Sequence, residues 1–92
     1  MAERTLRHLK IVNEKGLHAR ASAKLVEVVE SFKADAFVRK DGLDATGDSI
    51  MGLLMLAASK GTTIEVETVG PDADGLANAL EHLISDGFGE EL

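Results

Sequence analysis

The chain has no cysteine, no tryptophan and no tyrosine, and only three phenylalanines among its 92 residues. Without cysteine there is no disulfide framework and no thiolate metal site. A small domain without cross-links fits a reducing compartment. With so few aromatics, the core has to come from Leu, Val, Ile, Met and Ala, within a hydrophobic share of 45%. Basic residues are in the minority, 10 against 16 acidic ones, for a net charge of −6. A nucleic-acid binder shows a basic face, so no nucleic-acid partner is expected. Such a charge bears instead on solubility and on steering basic partners. No apolar run approaches the length that spans a bilayer. The opening Met1-Ala2-Glu3-Arg4 lacks the apolar core of a signal peptide. A cytoplasmic protein with no membrane association is expected, and the length sets one domain over residues 1–92.

Known chemical signatures are also scarce. Neither GxGxxG nor GxxxxGK[ST] is present, and the glycines are dispersed as caps and turns. No histidine pair at helical spacing with a carboxylate points to zinc, so no metal and no cofactor are expected. No Ser–His–acid order with an elbow motif appears. His8 shares strand parity with Lys10 and faces out, and His82 lies off the apolar stripe of a late helix; both read as solvated. What remains is His18 with Arg20 as the reactive centre, and Ser49 as the one modification site with a structural reason.

The stretch Asn13-Glu14-Lys15-Gly16-Leu17-His18-Ala19-Arg20-Ala21-Ser22 carries that centre. It follows a strand-like run and opens an amphipathic one. Gly16 permits a tight turn, and His18 falls where a helix begins. The first turn of a helix leaves N–H groups unpaired and carries partial positive charge. Arg20 adds a fixed cation with a phosphate-matching fork, and Lys24 follows one turn on. Two cations and no carboxylate there oppose the helix dipole, so an anion or an acidic partner belongs at this end.

Taken in order, Thr5 to Val12 reads as a strand by the alternation of Leu9 and Ile11 with Lys10. His18 to Phe32 reads as a helix, with Leu25, Val28, Val29 and Phe32 as its buried stripe, extended backwards by Ala21, and with Arg20, Lys24, Glu27 and Ser31 opposite. Ala34 to Lys40 is a second strand, Asp41-Gly42 a hairpin turn, and Leu43 to Thr46 the returning strand. Ser49 is a good N-cap, with Asp48 as the alternative, for a helix from Ile50 to Ser59 that Lys60-Gly61 would close. This helix is apolar on two lines, Ile50/Leu53/Leu54/Ala57 and Met51/Met55/Ala58, so it is either deeply buried or partly exposed for docking. Thr62 to Val69 is the clearest strand. Gly70-Pro71-Asp72 turns the chain, Asp72 can cap, and Leu76, Ala79, Leu80, Leu83 and Ile84 form a helical stripe that Gly87 ends. Phe88 to Leu92 reads as a short tail. The order β-α-β-β-α-β-α indicates an α+β fold, an antiparallel or mixed sheet with helices on one face. From order alone the ferredoxin-like arrangement is the commonest expectation.

The segment Asn13 to Ala23 resembles the active-site segment of the HPr family, the histidine phosphocarriers of the bacterial phosphoenolpyruvate-dependent phosphotransferase system. Gly47-Asp48-Ser49-Ile50-Met51-Gly52-Leu53-Leu54 resembles the family's second signature, around a regulatory serine. The resemblance runs from the first strand to the last helix. It implies an open-faced two-layer sandwich with three helices on one face of a four-stranded antiparallel sheet of order 1-4-2-3. It implies that His18 accepts a phosphoryl group on Nδ1 from the phosphoryl-donating first enzyme and passes it to a histidine of a downstream acceptor, with Arg20 as the partner of the phosphoryl group. It further implies a docking surface with Leu17, Lys24, Ile50 and Met51, and a serine kinase and phosphatase acting on Ser49. The protein would work as a monomer, a carrier rather than a stand-alone enzyme. Two positions depart from the family pattern. Ala21 stands where many members have proline, a residue suited to a first helical turn, and Asp48 where many have lysine or another non-acidic residue. These departures leave room for a nitrogen-related branch, in which the protein would be a regulatory binding module acting through phosphorylation-dependent contacts rather than sugar uptake.

Overall fold

The alternation that marks the fourth strand in the sequence becomes the interior of the sheet. The computed structural model describes residues 3–90. Its elements are β1 (Glu3–Lys10), α1 (Ala19–Glu30), β2 (Asp35–Lys40), β3 (Leu43–Thr46), α2 (Ile50–Met55), β4 (Thr63–Gly70) and α3 (Ala73–Ser85), followed by a tight 3-10 turn at Gly87–Gly89. β4 pairs antiparallel with β1, from Lys10↔Thr63 to Glu3↔Gly70, and with β2, from Arg39↔Glu65 to Asp35↔Val69. β3 pairs with β2 across the Asp41-Gly42 turn, where both residues have positive φ. The strand order is therefore 1-4-2-3, as the resemblance implies, and the ferredoxin-like order is not adopted. The two arrangements share one element sequence and differ only in pairing, which helical and strand periodicities do not encode. β4 suits an interior place because Ile64, Val66 and Thr68 are buried on one face, and Glu67 on the other is covered by its arginine partners.

One face of the sheet carries the aliphatic core. Leu9, Val38, Ile64 and Val66 from the strands meet Leu25 and Val29 of α1, Leu53 of α2, and Leu76, Leu80 and Ile84 of α3. Each such side chain contributes roughly 1.5–3 kcal/mol when fully buried. The stripe of α1 is confirmed at Leu25 and Val29, while Val28 and Phe32 are only partly buried. In α3, Ala73 and Ala77 are buried and Ala79 and Leu83 half-buried. Asp72 does stand at the α3 N-cap position, but its carboxylate bonds no helix N–H. It accepts instead from the Lys33 amide at 2.9 Å, tying the α1–β2 connection to the start of α3.

Two expected element ends move. α2 stops at Met55 rather than Ser59, and Ala57 turns left-handed at φ 52. The chain beyond it is committed elsewhere. The Ala58 carbonyl accepts the Leu17 amide at 2.9 Å, and the Leu56 carbonyl accepts from Lys40 Nζ at 3.2 Å. Lys60-Gly61 therefore caps no helix; Gly61 donates to the Ile11 carbonyl at 2.8 Å and Lys60 pairs with Glu14 at 2.6 Å. The tail also differs from expectation, because Phe88 is wholly buried in the core.

The other face of the sheet is open and charged. Arg39 contacts Glu67 at 2.6 Å and Glu65 at 3.0 Å, Glu67 also holds Arg4, and His8 lies 3.4 Å from Glu65. The two guanidiniums, Arg4 first, hold the Glu67 carboxyl below its usual range. A carboxylate with a lowered folded pKa stabilises the fold above its ordinary titration range and loses that contribution as pH falls through the folded value. Glu67→Gln should therefore flatten the acid limb of the stability–pH curve while leaving its slope near neutral pH unchanged. Urea denaturation from neutral pH down to the acid limb reads this, and an unaltered acid limb would contradict it.

Candidate functional site

The loop between β1 and α1 is built by backbone bonds around one glycine. Gly16 takes φ 62, its amide donates to the Asn13 carbonyl at 3.2 Å, and its carbonyl accepts the His18 amide at 2.9 Å. A side chain has no room there: a Cβ on Gly16 would stand 2.4 Å from the Ala58 carbonyl oxygen. Leu17 next door is 4% exposed and anchors the loop in the core. This corrects its expected place in a docking surface: Leu17 supports the site from beneath.

His18 is the N-cap residue of α1, in extended geometry at φ −77 and ψ −178. An N-cap side chain ordinarily bonds the N–H groups of its own first turn. That of His18 does not, and no acidic residue lies in the first turn. The N–H groups of Ala19, Arg20 and Ala21 have no partner among the described residues, and the first helical bond runs from Ser22 to the His18 carbonyl at 2.8 Å. These amides, with the partial positive charge of the helix end, form a place for an anion. Arg20 is exposed and makes no ion pair among the described residues.

The imidazole is instead held by the chain's other end. His18 Nε2 makes a close contact with Glu90 Oε2, and the two side chains are 24% and 18% exposed. Asn13, fully buried, donates from Nδ2 both to the Gly16 carbonyl at 2.8 Å and to Glu90 Oε1 at 3.0 Å. The Asn13 bond first, then that of His18, with Lys15 nearby, holds the Glu90 carboxyl below its usual range. Phe88 brings Glu90 into position. Gly87, Phe88 and Gly89 all have left-handed φ, of 64, 57 and 76. The Phe88 ring fills the core and its carbonyl accepts from Lys24 Nζ at 2.6 Å. Lys24, expected in the docking surface, is thus engaged in fastening the tail.

Ser49 caps α2 as expected, accepting the Gly52 amide on its Oγ at 3.0 Å. α2 packs against α1 and turns members of both apolar lines to solvent: Met51 is 69% exposed and Met55 74%, Ile50 of the first line is 40% exposed, and Ala58 of the second is buried. Of the two readings left open for this helix, partial exposure is the one adopted; only Leu53 within it is fully buried. His8 and His82 are exposed, as the sequence reading has them. Among the described residues no group of three or more His, Cys, Asp or Glu could hold a metal ion, and no helix is long and apolar enough to cross a membrane.

Sequence reasoning missed Asn13, Phe88 and Glu90 as parts of this site. A signal for the tail was present: in a chain with three phenylalanines, one of them lies between two glycines just before an acidic residue. An apolar anchor flanked by residues free to turn is a clasp pattern rather than a loose end.

The fold and this helix start with a histidine at its N-cap position define a small phosphocarrier type of domain. The family model described as PTS HPr component phosphorylation site matches residues 6–86. The chain is 49% identical over 82 residues to the phosphocarrier protein HPr of Neisseria meningitidis serogroup A, covering 89% of this chain and 92% of that protein. It is 39% identical over 84 residues to the phosphocarrier protein NPr of Escherichia coli K12, covering 90% and 93%. The crystal structure of HPr-C-His from Thermoanaerobacter tengcongensis superposes with a TM-score of 0.91 at 35% identity, covering 96% of this chain and 99% of that one. The chain belongs to the HPr family of phosphotransferase-system phosphocarriers.

Proposed function

We propose that His18 accepts a phosphoryl group from the donor enzyme of a phosphoenolpyruvate-dependent phosphotransferase system and passes it to a histidine of a downstream protein. The observation that carries the reading is the N-cap placement of His18. Its ring is spent on Glu90 while the amides of the helix start stay unpaired beside it. A carrier must hold phosphate loosely enough to give it up. One helix start and one arginine offer charge compensation without a metal cage, and phosphoryl transfer asks chiefly for positioning and charge stabilisation. Arg20 then partners the phosphoryl oxygens, and Ile50 and Met51 supply an apolar docking face for both partners. Such exchange takes place in the cytoplasm.

Ser49 adds a point of control. Phosphorylation there places roughly −1.5 to −2 charges at the start of α2, an end that tolerates anions. The fold is kept while acidic partners drawn by Arg20 are repelled. A nitrogen-branch role, in which the phosphorylated carrier acts by regulatory contacts, draws support from the likeness to an NPr and from Asp48 beside Ser49.

One assay tests the set. The chain is incubated with the donor enzyme and labelled phosphoenolpyruvate, and label, intact mass and the acid and base lability of the adduct are followed. Wild type should gain one acid-labile, base-stable phosphoryl group, and His18→Ala none. Arg20→Ala should stay folded and transfer more slowly, and Ser49→Asp should slow donor binding without unfolding. Undiminished labelling of His18→Ala would overturn the assignment of the acceptor, and an unchanged rate in Ser49→Asp would leave Ser49 as a helix cap alone.

A further inference from the structure

We propose that Glu90 is a positioning residue for His18, accepting Nε2–H so that the neutral ring is held with its lone pair on Nδ1. The proposal rests on His18 being the phosphoryl acceptor. An ionised carboxylate only accepts hydrogen bonds, so the close contact between Glu90 Oε2 and His18 Nε2 places the hydrogen on Nε2. The other ring nitrogen makes no hydrogen bond among the described residues and is left as the nucleophile.

Glu90 is itself fixed from the opposite side. Its Oε1 accepts from Asn13 Nδ2 at 3.0 Å, and Asn13 is locked to the Gly16 carbonyl at 2.8 Å. Asn13 keeps this orientation even though its own Oδ1 is buried without a partner. An unpaired buried acceptor is unfavourable, so the amide is oriented toward Glu90 and the loop at the expense of its oxygen. The backbone leading to Glu90 is equally committed: Phe88 is a non-glycine residue held at φ 57 by the burial of its ring, and the Glu90 amide bonds the Gly87 carbonyl at 3.0 Å. A structural clasp would need the buried ring alone; a carboxylate aimed at one nitrogen of the candidate acceptor needs the rest.

The hydrogen on Nε2 serves both directions of transfer. In the forward step the Nδ1 lone pair attacks the phosphorus of an N-phosphorylated donor. The Nδ1–P bond forms as the donor's N–P bond breaks, and its electron pair returns to the donor nitrogen. The ring then carries positive charge facing the Glu90 carboxylate. In the onward step the N–P electron pair returns to Nδ1, and the leaving group is a neutral imidazole still protonated on Nε2 rather than an anionic one. No proton has to enter or leave the carrier in either step.

The test uses the whole chain as wild type, Glu90→Ala and Glu90→Gln, with folding checked by the amide spectrum. Imidazole 15N shifts of His18, read well above the ordinary imidazole titration range, should show hydrogen on Nε2 in wild type and a mixture of tautomers in Glu90→Ala. Glu90→Gln keeps an oxygen that can accept and should hold the tautomer. The rate of label uptake should fall about tenfold or more in Glu90→Ala, by analogy with the loss seen when the carboxylate behind a metal-bound histidine is removed, with Glu90→Gln between the two. A wild-type ring carrying hydrogen on Nδ1, an unchanged tautomer in Glu90→Ala, or an unchanged rate overturns the proposal. The tautomer measurement needs no donor, so a wild type that takes up no label defeats the phosphocarrier reading and leaves the positioning of the ring to be decided by the shifts alone.

Discussion

Gly16→Ala should destabilise the protein by about 2–5 kcal/mol and remove the site with it. Two effects add. The left-handed conformation costs an L-residue roughly 1–2 kcal/mol, and φ at Gly16 is 62. The new methyl would also stand 2.4 Å from the Ala58 carbonyl oxygen and 2.9 Å from Ser59 Cα, both backbone atoms. Overpacking a tight site typically costs a further ~1–3 kcal/mol. Relief requires the two segments to part, and the bond between the Leu17 amide and the Ala58 carbonyl, 2.9 Å in length, holds them together. The loop that presents His18 would then lose its shape before the sheet does. Gly42→Ala is the internal control: its φ is 80, but nothing lies within 4 Å of the added carbon, so only the strain should register. With a urea slope of about 1–3 kcal/mol per molar, Gly16→Ala should lower the denaturation midpoint by about 1 M or more and Gly42→Ala, with the strain alone, by roughly half as much. Equal midpoints for the two variants would mean that the approach to Ala58 carries no weight.

The parts of this fold that the sequence made legible are those with a local cause. The Asp41-Gly42 turn, the β3 limits at Leu43 and Thr46, the Ser49 cap and the α1 stripe at Leu25 and Val29 each follow from propensity or period within a few residues. His18 and Arg20 were singled out in part by a cationic, acid-free helix start that runs against the helix dipole, and mainly by the resemblance of Asn13 to Ala23 to the HPr segment. What was not legible depends on partners distant along the chain. α2 ends early because residues 56–58 serve Lys40 and Leu17 through their carbonyls, and backbone carbonyls carry no sequence signature. Asp72 left its own helix for the Lys33 amide for a similar reason. The contact of Glu90 with His18 joins positions 72 residues apart and is invisible to any periodicity.

That distant contact hangs on one ring, so Phe88→Ala should cost about 3–5 kcal/mol, the usual range for deleting a fully buried phenylalanine. Phe88 has no exposed surface and sits among the same core residues as Leu76, Leu80 and Ile84. Its left-handed φ of 57 gains no relief from alanine, which keeps the Cβ that makes this region unfavourable. Phe88→Gly would shed that strain, so it should be the less damaging of the two in the folded state by roughly 1 kcal/mol, although glycine also loosens the unfolded chain. The larger consequence is at the site. Without the ring, nothing apolar keeps residues 87–90 on the domain, and what is left is a few polar ties, the part-buried Lys24 bond to the Phe88 carbonyl and the bonds of Glu90 to Asn13 and His18. Glu90 would leave His18, and the ring would lose its fixed tautomer although neither His18 nor Glu90 had been changed. Phe88→Ala should therefore reproduce the 15N signature of Glu90→Ala, and the double variant should be no worse at the site than Phe88→Ala alone. The stability losses of the two single changes should likewise fail to add, because both break one clasp. Urea midpoints and His18 shifts for the two singles and the double close the cycle. Full additivity, or a wild-type tautomer in folded Phe88→Ala, would show that Glu90 reaches His18 without the help of the ring.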